Sequence, residues 1–451
     1  MKGILFILPV LLSKLCFSQD ISFSVSSLPS MPEPVANNAV TSAYSGDTLC
    51  VYSFCGIDST KTPAGIHLKA WRYNTVSEVW SQLPDVPDAT GNGKIAAGAS
   101  TVDNKIYLIG GYYVADNFSE ESSNDVHVFN PETNSWEADG APIPVPIDDH
   151  VQAVWNGTHI YVITGWSDNQ NVANVQIYTP VNDLWLEGTS TPDNSDYKVF
   201  GGSGDILGNT IYYHGGVRSS FGFFPTAEVR KGVINPENPL EIEWEILGDS
   251  ELGTTYRAAA ISIPTANSVY WFGGSQLGYN FDGIDYNGTG PVAPLGIIKA
   301  HNIFTEEVIN QAPLNNQTFF ELSMDLRGIA RLTSVQSEEE NGEFSAVICG
   351  GMHGGAEVNN RVFKISSDNV VHVQEQNEDE WFKFRIDVNQ LNYASKRSMS
   401  KLTLIDIFGR EINQFNPVKE GSINLSELNK GVYFLSSISH DNERVCVKLK
   451  I

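Results

Sequence analysis

The feature that most constrains this chain is a phrase that recurs along it: a short apolar run ending in a glycine pair, then an aromatic residue, then a tryptophan seven positions after the aromatic. It reads Tyr107-Leu108-Ile109-Gly110-Gly111 with Phe129 and Trp136, and again Tyr161-Val162-Ile163-Thr164-Gly165 with Tyr178 and Trp185. An earlier copy runs Val51-Tyr52-Ser53-Phe54-Cys55-Gly56, with cysteine in place of one glycine, and continues to Tyr73 and Trp80. Later copies end in Gly215-Gly216 with Trp244, in Gly273-Gly274 and in Gly350-Gly351, which makes six units. A period of roughly 50 to 60 residues marks a repeat architecture, in which no unit buries its apolar faces alone.

Each unit alternates short β-rich runs with loops rich in Gly and Asn, and no window of similar length keeps a helical period. The class is all-β. A four-stranded sheet of this size must pack face to face with others around an axis. The glycine pair suits a place where an inner strand ends and the backbone turns or lies close to a neighbour. The aromatic and the Trp would then fill the gap between adjacent units.

On these motifs the chain resembles the Kelch repeat family over about residues 22 to 375. That resemblance implies a six-bladed Kelch β-propeller, although the fifth unit lacks an obvious Trp and carries long insertions. Two segments compete for the closing outer strand. Phe23 to Pro29 reads like the end of a unit, as Trp80 to Pro84 does, and Val370-Val371-His372-Val373 could also complete the last blade.

Residues 1 to 18 carry Lys2, an apolar core from Ile4 to Leu12 and a cleavage site after Ser18, the pattern of a secretory signal peptide and too short for a membrane span. No other segment is apolar enough to cross a bilayer as a helix. The propeller is expected over 19–375, with 376–399 a linker or the first strand of the next domain. Residues 400–451 change character: Leu402 to Glu411, Ile423 to Phe434 and Val445 to Leu449 read as short strands of a small β-sandwich. The strand-Gly-Arg-Glu phrase at Gly409-Arg410-Glu411 and the Leu-x-x-Gly-x-Tyr phrase at Leu428, Gly431 and Tyr433 resemble the type A C-terminal sorting domain of type IX secretion. The Pro-Asn-Pro phrase that opens such domains is absent from Glu380 to Ser400. The resemblance implies the type IX secretion machinery as a partner and export across a bacterial outer membrane, to the medium or the cell surface.

A formal net charge of -25 with no basic stripe argues against nucleic acid as a partner. Four cysteines follow the signal, Cys50, Cys55, Cys349 and Cys446. Cys55 and Cys349 fall on inner strands of adjacent blades, as a disulfide or as two buried thiols. No spacing of Cys or His suggests a metal site, and no cofactor is expected. Nothing in the sequence asks for an oligomer, so a monomer is expected.

The residues preceding each innermost strand are the candidate site, because strand-connecting loops converge there. Lys94, His150, Lys198, Arg257 and Arg327 stand before strands beginning near Ala96, Val151, Val199, Ala258 and Ile329, with Asp148, Asp149, Asp196 and Asp325 beside them. A ring of cations around a channel mouth would attract an anionic ligand such as an acidic sugar. The competing reading pairs each cation with its neighbouring carboxylate. Aromatics after the glycine pairs, among them Tyr112, Tyr113, Trp166, Phe221, Phe223, Phe224, Tyr279, Phe281 and Tyr286, could stack on pyranose faces, or fold back and bury themselves.

Two enzyme families share the fold. The six-bladed Kelch sialic acid epimerases, or mutarotases, resemble this chain near Val362 to Val373, and the resemblance assigns proton exchange to an acidic residue and an Arg after the fourth glycine pair. Arg218 fits, but the carboxylate is missing from Val217-Arg218-Ser219-Ser220. The copper enzymes of the galactose-oxidase type need a Cys-linked Tyr that has no candidate here. The sequence therefore points to a secreted propeller binding a glycan or a protein, with a sugar mutarotase or epimerase as the alternative.

Overall fold

Every repeat folds into a four-stranded antiparallel sheet. The computed structural model describes residues 23–89, 91–247, 252–302, 308–311, 324–334, 343–367, 382–387, 390–406, 411–425, 428, 432–439 and 444–450. The expected leader at 1–18, the Val370-Val371-His372-Val373 strand and Gly409-Arg410 lie outside the described residues.

Six such sheets share one order, from an innermost strand outward. The innermost strands are Ala39–Ser45, Gly98–Val102, Val151–Trp155, Ser203–Leu207, Ala259–Ile263 and Ala330–Arg331. They are built largely from Gly, Ala, Ser and Thr, since side chains crowd where sheets converge. The second strands, such as Lys105–Ile109 and His159–Ile163, are apolar on both faces because they are covered by sheets on either side. The fifth sheet is completed by Val308–Gln311 without a Trp.

The aromatic-to-Trp spacing has a direct structural meaning. Tyr73, Phe129 and Tyr178 stand opposite Trp80, Trp136 and Trp185 on adjacent strands, with ring centroids 5.2, 5.1 and 5.0 Å apart. Four indoles reach across to the preceding sheet. Nε1 of Trp80, Trp136, Trp185 and Trp244 donates to the carbonyls of Pro29, Pro84, Ala141 and Thr189 at 2.9, 3.0, 2.7 and 3.0 Å. Pro29 thus holds the place that Pro84 holds one unit later.

That equivalence fixes the closing strand. Phe23–Leu28 pairs antiparallel with Val362–Ser367 and forms the outer strand of the sixth sheet. The glycine pairs mark close approach. A Cβ on Gly110 would meet the Ile147 carbonyl oxygen at 2.3 Å, and one on Gly215 the Thr255 carbonyl oxygen at 2.1 Å, each in the segment leading to the next innermost strand.

A second regularity ties the six sheets together. One residue with positive φ precedes each innermost strand: Asn37 (57°), Ala96 (57°), Asp149 (48°), Gly201 (63°), Arg257 (48°) and Asp325 (62°). Hydrogen bonds run from each to the next. The amides of Asp149, Gly201, Arg257 and Leu326 donate to the carbonyls of Ala96, Asp149, Gly201 and Arg257 at 3.1, 2.7, 2.8 and 3.0 Å, and Asn37 N donates to Asp325 O at 3.0 Å. Ala96 N donates to Asn37 Oδ1 at 3.0 Å, and the circle closes. Left-handed backbone at five non-glycine positions costs about 1–2 kcal/mol each, so this ring is held by its surroundings.

Cys50, Cys55 and Cys349 are buried free thiols, so the alternative of a Cys55–Cys349 bridge is not realised. Burial raises both Cys55 and Cys349 to about 12.

The described residues fall into two units, the second being the C-terminal part of the chain. It holds a three-stranded sheet, Phe382–Asp387, Gln390–Ser395 and Glu420–Asn424, and a four-stranded one, Glu411–Phe415, Met399–Asp406, Val432–Ser439 and Arg444–Lys450. One apolar cluster takes Leu391, Tyr393 and Ile423 from the first sheet and Leu402, Leu404 and Leu435 from the second. The segment 376–399 therefore contributes two strands to this unit.

Candidate functional site

The end of the channel at which the innermost strands begin is closed. Residues at the six entry points, including Asn38, Ala96, Asp149, Phe200, Arg257 and Asp325, are buried. Over them an apolar cluster combines side chains that follow the glycine pairs, among them Tyr112, Tyr279, Phe281 and Met352, with Phe200 and Tyr256 from the entry points themselves. The loop aromatics mostly fold back: Tyr112, Tyr279 and Phe281 are buried, and Trp166 packs on Phe200 and Phe223 at 5.3 and 5.9 Å. Phe221 and Phe224 remain exposed.

Beneath that cover lies an ion cluster. Arg257 donates from Nε and Nη2 to Asp149 at 3.0 and 2.5 Å and from Nη1 to Asp325 at 2.8 Å, and its guanidinium lies over the rings of Tyr256 and Tyr279. All three charged groups are buried. Burial works against the guanidinium charge, yet Asp149, Tyr256 and Asp325 together raise Arg257 well above its ordinary value.

The expected cations do not form a ring of free charges. Lys94 is buried and donates to Asp125 at 2.7 Å and Ser123 at 3.2 Å. Lys198 pairs with Asp193 at 2.6 Å, and Arg218 with Asp196 at 3.7 Å. The reason is register. Counted from the positive-φ residue of each unit, Lys94 is two before, His150 one after, Lys198 three before, Arg257 at the position itself and Arg327 two after. These five occupy five different places, so their side chains cannot share one direction.

His150 and Arg327 do come together, at the floor of the channel. The channel is a cavity of about 610 Å³ lined by the innermost strands. It is open at their far ends, where the turns at Gly46, Gly157 and Gly208 are exposed. Arg327 Nη2 donates to the His150 carbonyl at 2.8 Å and Nη1 lies 3.6 Å from Asp149, while its buried Nε has no hydrogen-bond partner among the described residues. His150 Nε2 lies 2.9 Å from Gln152 Oε1, and Gln152 Nε2 donates to Ser100 Oγ at 2.9 Å. Burial first, then the Arg327 charge, pushes His150 down to about 3, so the imidazole is neutral at physiological pH. Its Nδ1 has no partner. Gln152, Ser100, Asp205 and Arg331 also line the channel and escaped the sequence reading, which followed the residues before the innermost strands rather than the small polar ones within them.

Asp148, beside this floor, carries a stability prediction. Burial, then the Asp149 charge, raises its carboxyl well above the usual range, against the Ser122 hydroxyl that donates to it at 2.6 Å. Between the unfolded value near ~3.9 and the raised native one, the folded chain binds more protons than the unfolded, so stability falls as pH rises through that window. Asp148→Asn keeps the acceptor for Ser122 and removes the titration. Its melting temperature should exceed the parent's by an amount that grows from acid to mildly alkaline pH. A constant difference across that range would remove Asp148 from the account.

Comparisons agree with this architecture. Residues 19–216 match the KLHDC2/KLHL20/DRC7 Kelch-repeats domain and residues 383–451 the Secretion system C-terminal sorting domain. N-acetylneuraminate epimerase of Shigella boydii serotype 4 (strain Sb227) is 25% identical over 261 residues, 55% of this chain and 63% of that protein. The protein of that name from Escherichia coli (strain K12) is 30% identical over 154 residues, 34% of this chain and 37% of its own length. The chain thus spans less than two-thirds of these curated relatives. A solved structure described as "Structure of YjhT" superposes with a TM-score of 0.56 at 17% identity, covering 82% of this chain and 100% of that one, and shows the β-propeller fold. The chain carries a Kelch-repeat domain and a type IX secretion sorting domain, which marks it for export to a secreted or cell-surface location.

Proposed function

We propose that this exported Kelch β-propeller, six-bladed and joined to a C-terminal sorting-type β-sandwich, binds an acidic sugar in its central channel. In this reading 1–18 is a leader, 19–375 the propeller and 400–451 the core of the sorting domain. The observation that carries it is Arg327: a guanidinium on the floor of an open polar cavity, with a buried Nε–H that has no acceptor among the described residues. A buried donor left unpaired costs about 1–3 kcal/mol, which a carboxylate reaching the floor would recover. Arg331 and the hydroxyls of Ser100 and Ser203 line the wall and suit a polyol.

A second reading is mutarotation or epimerisation of such a sugar. It is favoured by the name of the relatives, while His150, held neutral by burial and by the Arg327 charge, is at most a weak proton acceptor in it. Arg218, which the family resemblance assigned to proton exchange, is not part of the channel lining. Titration calorimetry of the full-length protein with N-acetylneuraminate, glucuronate and galacturonate tests the binding. Affinity should fall about tenfold or more in Arg327→Gln, equivalent to ~1.4 kcal/mol, and vanish in Thr41→Tyr, which fills the channel away from the buried charges. Proton NMR of anomer exchange then separates binding from catalysis. Acidic sugars that bind neither parent nor variants would end the channel reading.

A further inference from the structure

A second cavity lies apart from the channel. The hairpin Trp166–Ser167 with Gln170–Asn171, the hairpin Val217–Ser219 with Phe223–Pro225 and residues 194–198 enclose about 260 Å³, lined by Gln170, Asn171, Asn194, Ser195, Lys198 and Ser219. None of these six lines the channel. Asn171 is 6% exposed, and its Nδ2 donates to the carbonyls of Lys198 and Val217 at 3.2 and 3.1 Å. Its Oδ1 is buried without a hydrogen-bond partner among the described residues. An acceptor so placed is satisfied by an incoming N–H or O–H.

We infer that this cavity is a saccharide subsite for a single neutral pyranose ring, distinct from the channel and independent of the acidic-sugar reading. The lining presents three amides and two hydroxyls, groups that donate and accept at once and so match sugar hydroxyls, which do the same. The one ammonium, on Lys198, is held by Asp193 at 2.6 Å, which leaves little net charge to select an anion. No apolar side chain lines the cavity to anchor a peptide. Its volume falls below the roughly 300–1,000 Å³ of drug-sized pockets, which limits it to one ring. Exposed Phe221 and Phe224, on the second of the two hairpins, offer faces on which an adjoining sugar unit can stack.

Saturation-transfer NMR with the full-length protein and glucose, galactose, mannose, N-acetylglucosamine and N-acetylgalactosamine tests the assignment. At least one of these should receive saturation, with affinity in the millimolar range expected of a lone ring. Ser195→Trp, at an exposed position, should fill the cavity and abolish the signal while leaving near-ultraviolet circular dichroism otherwise native. Gln170→Ala, also exposed, should weaken it, and Thr41→Tyr, which blocks the channel, should leave it unchanged. The inference is overturned if no sugar in the panel responds, or if the response survives Ser195→Trp. Loss of the signal in Thr41→Tyr, with native near-ultraviolet circular dichroism, would also overturn it, by moving the binding to the channel.

Discussion

Arg257→Met should be the most damaging single substitution in the propeller, with a loss on the order of 3–5 kcal/mol. The side chain is buried, and among the described residues its ionic partners are Asp149 and Asp325, themselves buried. Among the described residues, removing the guanidinium leaves Asp325 without its ion-pair partner and Asp149 with Arg327, 3.6 Å away. Both residues at position 257 carry a side chain on left-handed backbone, so the difference reports the charge and not the fold of the turn. The comparison that decides the matter is a triple variant, Arg257→Met with Asp149→Asn and Asp325→Asn. Chemical denaturation should show the triple variant regaining much of what the single one lost, because a buried ion cluster replaced as a whole costs far less than one broken in half. If Arg257→Met melts like the parent and only ligand binding suffers, the cluster is not what holds the closed end together.

The second large effect concerns the strand that joins the beginning of the described chain to its last sheet. Phe23 is buried, with its ring edge-on to Tyr270, Phe272 and Phe344 at centroid distances of 5.0, 5.4 and 6.2 Å. Phe23→Ala should cost about 3–5 kcal/mol through lost burial and the cavity left behind. Deleting residues 23–28 should do more. It removes a paired strand along the whole of Val362–Ser367 and leaves that strand as an open edge, ready to pair with another chain. Size-exclusion chromatography should show aggregates or a swapped assembly larger than the parent. A deleted chain that elutes like the parent, folded and with the parent's melting temperature, would mean that some other segment completes the sheet.

Much of this architecture was legible because it is periodic. The glycine pairs, the aromatic-to-Trp interval and the likeness of Phe23 to Pro29 to other unit ends each recur, and each has a local cause: close approach at Gly110 and Gly215, cross-strand pairing at Phe129 and Trp136, an indole hydrogen bond at Pro29. The candidate site was harder to read for the opposite reason. Arg257 meets partners 108 and 68 residues away, so no local pattern announces that its charge is neutralised. The closed end is covered by loops of unequal length that share no motif, and the sequence gives no sign of which mouth stays open. His150 and Arg327 were found for their charge. What sets them apart from Lys94 and Lys198 is a register that only the positive-φ residues reveal.

The circle of hydrogen bonds through those residues has a mechanical consequence. Five of the six links in this hoop run from backbone to backbone and the sixth through the Asn37 side chain, so its circumference is set by peptide geometry and only a replacement at Asn37 can loosen it. Substitutions along the innermost strands can therefore repaint the bore without changing its gauge. A change of gauge would require the hoop to open at one link, and each link belongs to two neighbouring sheets at once. On the proposal of a channel ligand, its choice is then a matter of lining, decided at positions such as Ser100, Gln152 and Arg327, within a tube whose width is fixed in advance.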